Sequence, residues 1–417
     1  MKILHCIAQL PMKTGSGVYF TTLVEGLAKK GHTSAVLYGT QKPFSENSFC
    51  SLFSESTNYN IKEFRIEFLT ADLNFPIAGM SDVMPYTSTV YSEMTEEMFD
   101  IWIKNFKQTL LKAKEEFNPD LIITHHLFIL TALVKKIFCD KKVIGVCHGT
   151  DIRQIKKNGR LKTTYIDGIQ SIENLTAYLA VSPKDITEIK NIFSVPDKKL
   201  HLVGGGFNPK IFNNNTPHTF DGTFRLIYAG KISQSKGVFE LAKTLPVILK
   251  KFPNTELTLV GNASEEQKQE LYLYAKNSDK LKIHNALTQL EMSNVLKQSD
   301  IFILPSYYEA LGLIAIEALA CGLLAVTTEI EGLINLLGEK ANSSGIIEYV
   351  KLPSLYDVDK PVEEDKRDFI NRLAEKIMLQ MMRIKLKENL YAQVSEEIKK
   401  HSWDTIIEKI EKIIRKS

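Results

Sequence analysis

The sequence predicts an α/β protein made of two doubly wound parallel-sheet domains. Three observations carry that expectation. The chain has 417 residues, more than one hydrophobic core ordinarily organises, so two domains of roughly 200 residues are the default. Short apolar runs bounded by turn formers alternate with segments of helical period, the pattern of parallel βα units. Midway, Gly204-Gly205-Gly206 and then Asn213-Asn214-Asn215 and Pro217 interrupt the alternation, so residues 205–222 read as a linker.

In the first half, Ile3–Ala8 reads as a buried strand, followed by Gly15-Ser16-Gly17 and a helix over Val18–Lys30 that Gly31 closes. Strands are expected at Thr33–Tyr38 and Phe64–Leu69. A helix over Thr95–Phe117 carries the apolar stripe Phe99, Ile103, Phe106, Leu110 and Ala113 opposite Lys104, Lys107, Lys112 and Lys114. The strand Asp120–His126, the helix Leu127–Phe138 and the strand Val143–Cys147 follow. After the strand Ala177–Ser182, Pro183 fits the first position of a helix running to Phe193. Leu200–Val203 closes this half as a strand.

The second half repeats the alternation. Strands are expected at Arg225–Ala229, Glu256–Val260, Lys282–Asn285, Ile301–Leu304 and Leu323–Thr328. Helices are expected at Lys236–Lys251, Ser264–Asn277, from the Thr288/Glu291 capping box to Gln298, and at Gly312–Cys321. Residues 366–400 are helical and amphipathic, and Trp403–Ile414 is a final helix. The expected division is residues 1–206, residues 207–400 and the segment 401–417, with a cleft between the carboxyl edges of the two sheets.

Composition narrows the function. With 44% hydrophobic and 24% charged residues the chain is globular. A net charge of +3 is too small to argue for a nucleic-acid partner. Cys6, Cys50, Cys139, Cys147 and Cys321 are scattered without a C-x-x-C, which suggests neither a disulfide framework nor a zinc site and places the chain in a reducing, cytoplasmic setting. The apolar run at the start is too short and interrupted for a signal peptide. No uncharged apolar stretch reaches the roughly 18 residues a membrane span needs. Peripheral contact with the inner face of a membrane stays open, since the basic face of the 95–117 helix fits either solvent or an acidic surface.

Between Ala310 and Val326 the one charged residue is Glu317. A carboxylate in so apolar a run calls for hydrogen-bond donors. Glu309 stands just before Gly312, which opens the helix, and a helix start favours anions. On the loop after the strand Arg225–Ala229, Lys231 and Lys236 are placed to flank a phosphate, although two surface lysines would look the same. Gly15-Ser16-Gly17 lacks the third glycine of a dinucleotide loop, with Phe20 in its place, and Tyr38-Gly39-Thr40 offers no acid for a ribose. A plain tight turn and a loop approaching a phosphate remain, and position favours the second. His148 ends a strand, where α/β sheets bind ligands. His125 and His126 end a neighbouring strand, and neither spacing makes a metal set. Arg153, Lys156, Lys157, Arg160 and Lys162 form a solvated face or a patch for an anionic acceptor. Asp357-Val358-Asp359 lies in a late loop and reads as solvated. Together these features suit a nucleotide diphosphate carrying a sugar.

The chain resembles the retaining glycosyltransferases of family 4, which have the GT-B fold. Glu309-x7-Glu317, with Gly312 between, resembles their E-x7-E signature. Gly230-Lys231 with Lys236-Gly237 resembles their G-R-L-x-x-x-K-G loop, and His148-Gly149-Thr150-Asp151 their H-G-x-D stretch. Ser16-Gly17 stands where they have Gly-Gly, and His401-Ser402-Trp403 resembles the F-S-W opening a last helix that returns to the N-terminal domain.

The resemblance implies sugar transfer from a nucleotide diphosphate, UDP being expected, to an acceptor hydroxyl on a glycan, lipid-linked or small molecule, with no cofactor and no metal. Lys231 and Lys236 would hold and neutralise the leaving diphosphate, with Ser16 and Gly17 approaching it. Glu317 would take the ribose. Glu309 with Gly312, Leu313 and Ile314 would hold the sugar, and His148 would sit near its reacting face. Lys231 in place of Arg loses a bidentate fork. Ala310-Leu311 in place of Gly-Phe alters the sugar pocket, and Glu329-Ile330-Glu331-Gly332 lacks the usual Gly-Gly. A nucleotide-sugar epimerase of similar fold and a non-catalytic sugar-nucleotide binder are the alternatives.

Overall fold

Seven parallel strands make the sheet of the first of two units into which the chain divides in the computed structural model, which describes residues 1–44, 48–53, 59–82, 84–309, 311–357 and 359–416. This unit comprises Met1–Gly204 together with Ile406–Ser417. Its elements are β1 (Lys2–Ile7), α1 (Gly15–Lys29), β2 (Thr33–Thr40), β3 (Lys62–Glu67), the short pair β4 (Ala78–Gly79) and β5 (Thr89–Val90), α2 (Glu96–Phe117), β6 (Leu121–His125), α3 (Ile129–Ile137), β7 (Lys142–Cys147), α4 (Thr150–Lys157), β8 (Ala177–Ala180), α5 (Pro183–Phe193) and β9 (Leu200–Leu202). The sheet order is β3-β2-β1-β6-β7-β8-β9. The order reverses direction at β1, whose carboxyl end therefore lies at a topological switch point beside that of β6.

The strands are near-continuous apolar runs because helices cover them. β1 and β2 are buried along almost their whole length. On α2, Phe99, Phe106, Leu110 and Ala113 are buried as the stripe predicts. Ile103 is half-buried, and Trp102 takes the deeper position, stacked on Phe106 at 3.8 Å between ring centres. Thr95 caps this helix by accepting from the Met98 amide, and Asn118 closes it in the left-handed conformation. α5 starts with Pro183 behind a Ser182/Asp185 capping box.

The second unit, Gly205–Thr405, repeats the plan. It contains β10 (Phe224–Ala229), α6 (Val238–Leu249), β11 (Thr255–Val260), α7 (Glu265–Tyr274), β12 (Leu281–His284), α8 (Gln289–Leu296), β13 (Ile301–Leu304), α9 (Leu313–Ala320), β14 (Leu324–Thr328), α10 (Glu331–Ser343), β15 (Ile347–Val350), the hairpin strands β16 (Leu355–Asp357) and β17 (Lys360–Pro361), α11 (Lys366–Lys385) and α12 (Leu390–Lys399). Six strands pair in the order β12-β11-β10-β13-β14-β15, all parallel. The capping box at Thr288 and Glu291 opens α8.

Sequence and structure differ at several places. α1 begins at Gly15, not Val18, so Gly15-Ser16-Gly17 is its first turn; the left-handed residues before it are Met12 and Lys13. β3 lies two residues earlier than expected. α10 and β15 were not anticipated: Gly338, at φ 73°, kinks α10 and breaks its period, and Glu348 breaks the apolar run of β15.

The final helix, α13 (Trp403–Lys416), has its residues from Ile406 onward in the first unit. Ile406, Ile407, Ile410 and Ile414 are buried, and Gly26 of α1 makes room for Ile407: a Cβ there would meet Ile407 Cδ1 at 2.0 Å. Truncating a fully buried isoleucine costs roughly 2–5 kcal/mol. Ile410→Ala is therefore expected to lower the thermal midpoint of the transition involving the first unit by several degrees; an unchanged melting curve would show that α13 is not docked there.

Candidate functional site

The carboxyl ends of β10 and β13 carry the loops that assemble the site of the second unit. The loop after β10 is held from inside: the Tyr228 hydroxyl donates to the Lys231 carbonyl at 2.7 Å. The Lys231 side chain is exposed and has no partner among the described residues. A 3-10 turn over Gln234–Lys236 ends at Gly237, in the left-handed region at φ 62°. A Cβ on Gly237 would lie 2.1 Å from the Pro305 carbonyl oxygen, so only glycine lets the two loops meet. The Tyr307 amide then donates to the Ser235 carbonyl at 3.0 Å.

This stitching brings two of the expected site residues together. Lys236 Nζ donates to Glu309 Oε1 at 2.6 Å and to the Tyr308 carbonyl at 3.3 Å. Both side chains are about three-quarters buried, at 24% exposure each, so the pair is screened less than a surface ion pair.

Gly312 caps α9 in the left-handed conformation at φ 64° and supplies no side-chain acceptor to the helix start. Leu313 and Ile314 are half-buried on its first turn. One turn on, Glu317 is half-buried with no side-chain partner among the described residues, and loss of solvation pushes its carboxyl up to about 8. Leu311 and Leu313 pack on Gly205, where a Cβ would meet their methyl carbons at 3.1 and 2.8 Å. Gly205 thus serves a close approach that a linker composition did not reveal. Ala310 lies outside the described residues.

In the first unit, His148 follows β7. Gly149, at φ 75°, caps α4, and the fully buried Asp151 accepts from the His148 amide at 3.3 Å and the Leu127 amide at 2.7 Å. Asp151 thereby ties the ends of the adjacent strands β6 and β7. Nδ1 of His125 lies 3.0 Å from Nε2 of His148, and Tyr19 stands edge-on to both rings. Burial, with the neighbouring histidines second, holds both imidazoles well below their ordinary range, so both are neutral at pH 7. Sequence reasoning weighted His148 above His125. The matching register of β6 and β7, His125 opposite Val146, is what brings them together.

Ser16 and Gly17 are engaged within the protein. The Ser16 hydroxyl accepts from Gln9 Nε2 at 2.8 Å, and the Gly17 amide donates to Thr14 Oγ1 at 3.0 Å. A Cβ on Gly17 would meet the Met12 carbonyl at 2.5 Å, so the missing side chain is accounted for by the chain's own turn. The basic stretch is largely neutralised: Lys156 pairs with Glu188, Lys157 with Asp82, Arg160 with Glu96 and Lys162 with Asp167. Asp357 is exposed and pairs with Lys360 at 3.0 Å; Val358 beside it lies outside the described residues. No group of three metal-ligating side chains occurs among the described residues.

A fold of two parallel sheets is shared with solved structures. Sucrose-phosphate synthase from Thermosynechococcus elongatus superimposes with a TM-score of 0.68 at 16% identity, covering 100% of this chain and 98% of its own. Anabaena HepE, solved in complex with UDP and glucose, gives 0.61 at 13% identity, covering 100% and 99%. An uncharacterized glycosyltransferase of Methanocaldococcus jannaschii is 25% identical over 294 residues, 65% of this chain and 68% of its own length. The family Glycosyltransferase Family 4 matches residues 13–210, and Glycosyl transferases group 1 matches residues 211–351. The chain belongs to these group 1, family 4 glycosyltransferases of the GT-B fold, and is a glycosyltransferase enzyme.

Glu317 gives a sign-definite pH effect. An acid whose pKa is raised by folding stabilises the fold in its protonated form; that contribution is complete below its ordinary value of 4.5 and is lost as pH rises through about 8. Glu317→Gln is expected to match the wild-type melting temperature near pH 4 and to exceed it near pH 9. A difference between the two proteins that does not change with pH would mean the carboxyl titrates normally.

Proposed function

We propose that this enzyme moves a sugar from a UDP-sugar to an acceptor hydroxyl with retention of configuration and without a metal. The observation that carries the proposal is Glu317, a half-buried carboxyl with no side-chain partner among the described residues, one turn inside a helix whose start is uncapped by any side chain. A ribose diol supplies the donors such a group lacks, and a diphosphate suits the helix start. HepE, complexed with UDP and glucose, supports UDP as the nucleotide.

The remaining roles follow from charge. Lys231 and Lys236 meet the diphosphate, and their ammonium groups gain most as the leaving group takes on charge, which is what lowers a barrier rather than merely tightening binding. Before donor arrives, Lys236 is bonded to Glu309. Transfer of the ammonium to phosphate frees the Glu309 carboxylate to accept from hydroxyls of the sugar, together with the backbone at Gly312, Leu313 and Ile314. From the first unit, His148 serves the reacting sugar, and Ser16 and Gly17 the diphosphate. Same-face attack by the acceptor, through an oxocarbenium-like state, gives retention without a protein nucleophile. The acceptor is a glycan, a lipid-linked sugar or a small molecule. The enzyme works in the cytoplasm, where contact with the inner face of a membrane fits a lipid-linked acceptor; no helix among the described residues is long and apolar enough to cross one.

A thermal-shift screen of nucleotide sugars, followed by transfer assays on the stabilising ones, tests the donor class; stabilisation by none of them would count against it. With the donor in hand, Lys236→Ala and Glu309→Gln are each expected to reduce kcat/KM by on the order of 100-fold or more while circular dichroism stays native. Full activity in both variants would remove Lys236 and Glu309 from the site.

A further inference from the structure

The His125 side chain has one hydrogen-bond partner among the described residues, and that partner is His148. It is 1% exposed, at the end of β6. Its second ring nitrogen, Nε2, is buried with no partner among the described residues. Phe20 stands edge-on to its ring at 5.1 Å between centres, and Tyr19 at 6.0 Å. The two imidazoles are close to parallel, 19° apart, with centres 5.2 Å from each other. The other titratable groups around them are His5 on β1, His126, Asp151 on α4 and the Tyr19 phenol on α1. Both nitrogens of His5 are buried without partners among the described residues, and the Asp151 carboxylate is committed to backbone amides and the Cys147 thiol. His148 is half-buried, so it is the member of the pair that meets solvent.

Each neutral imidazole carries one N–H and one bare nitrogen, so the contact has two arrangements. If His148 donated from Nε2, the proton of His125 would sit on its own Nε2, a buried N–H with nothing to receive it. Orphaned buried N–H groups are the rarest unsatisfied polar groups in folded proteins. If His125 donates from Nδ1 instead, only a bare lone pair is left in the buried position of Nε2, and the proton of His148 is placed on Nδ1. The second arrangement is the better satisfied.

We propose that His125 is a positioning residue that holds His148 in the tautomer protonated on Nδ1, so that His148 presents a hydrogen-bond donor, and no basic lone pair, on its free side. The functional part rests on His148 serving the reacting sugar. It follows that His148 acts toward substrate oxygen as a donor and does not remove the acceptor's proton.

The test uses the full chain with 15N-labelled histidine. Ring 15N shifts separate protonated from bare nitrogens, and His148 is assigned by the resonances lost in His148→Gln. At about pH 7 the wild type is expected to show His148 protonated on Nδ1 and bare on Nε2; the reverse pattern would overturn the proposal. His125→Leu, which removes the donor, is expected to shift His148 toward the Nε2-protonated form that a free imidazole prefers. His125→Asn, whose amide N–H stands where Nδ1–H stood, is expected to restore the wild-type pattern. In transfer assays His125→Leu should lower kcat on the order of tenfold to a hundredfold with the donor KM little changed, and His125→Asn should recover most of it. Equal losses in the two variants would mean that His125 serves packing alone. The 15N pattern does not depend on activity, so it stands or falls separately from the assignment of sugar transfer. If His125→Leu does not fold, wild type and His125→Asn still decide the tautomer.

Discussion

The close approach of Gly237 to the Pro305 carbonyl is the constraint on which the second unit's site depends. Two loops from neighbouring strands, β10 and β13, must share a space too small for a Cβ. Once they do, the Tyr307 amide reaches the Ser235 carbonyl, and Lys236 reaches Glu309. The positions of the cation and the carboxylate are thus set by backbone geometry. The same loop leads into Gly312, where a second left-handed glycine turns the chain into α9.

The first unit reaches a comparable result by a different device. Here a carboxylate does the tying: Asp151 takes amide protons from the ends of both β6 and β7. The bends at His126 and Gly149, each at positive φ, then carry the chain away from the sheet. His148, half-buried there, lies against the rings of Tyr19, His125 and His126. Among the described residues no fixed charge contacts its ring, so its behaviour is governed by hydrogen bonding and desolvation rather than by an ion pair.

Much of this was legible in the sequence because strand-end loops are local. Ile301–Leu304 was read to the residue, and the loops that bear Lys236, Glu309 and His148 had to follow wherever their strands ended. The capping residues Thr95, Ser182 and Thr288 marked helix starts through chemistry that acts within three residues. What was not legible is contact at a distance. Gly17 read as part of a loop approaching a phosphate and Gly205 as linker, yet the first yields to Met12 in its own loop and the second to Leu311 and Leu313 far along the chain. The touching nitrogens of His125 and His148 depend on the register between two strands, which no spacing in the sequence encodes. α10 escaped notice because its kink at Gly338 breaks the helical period.

The helix α13 has a consequence for how the protein is made. The first unit is discontinuous: its residues 406–416 are synthesised only after all of Gly205–Thr405 has been made. Since domains generally fold as units during synthesis, the later-made second unit can be complete while the earlier-made first unit still exposes the groove along α1 that Ile407 fills. The first unit is begun before the second and can be completed only after the second has been made.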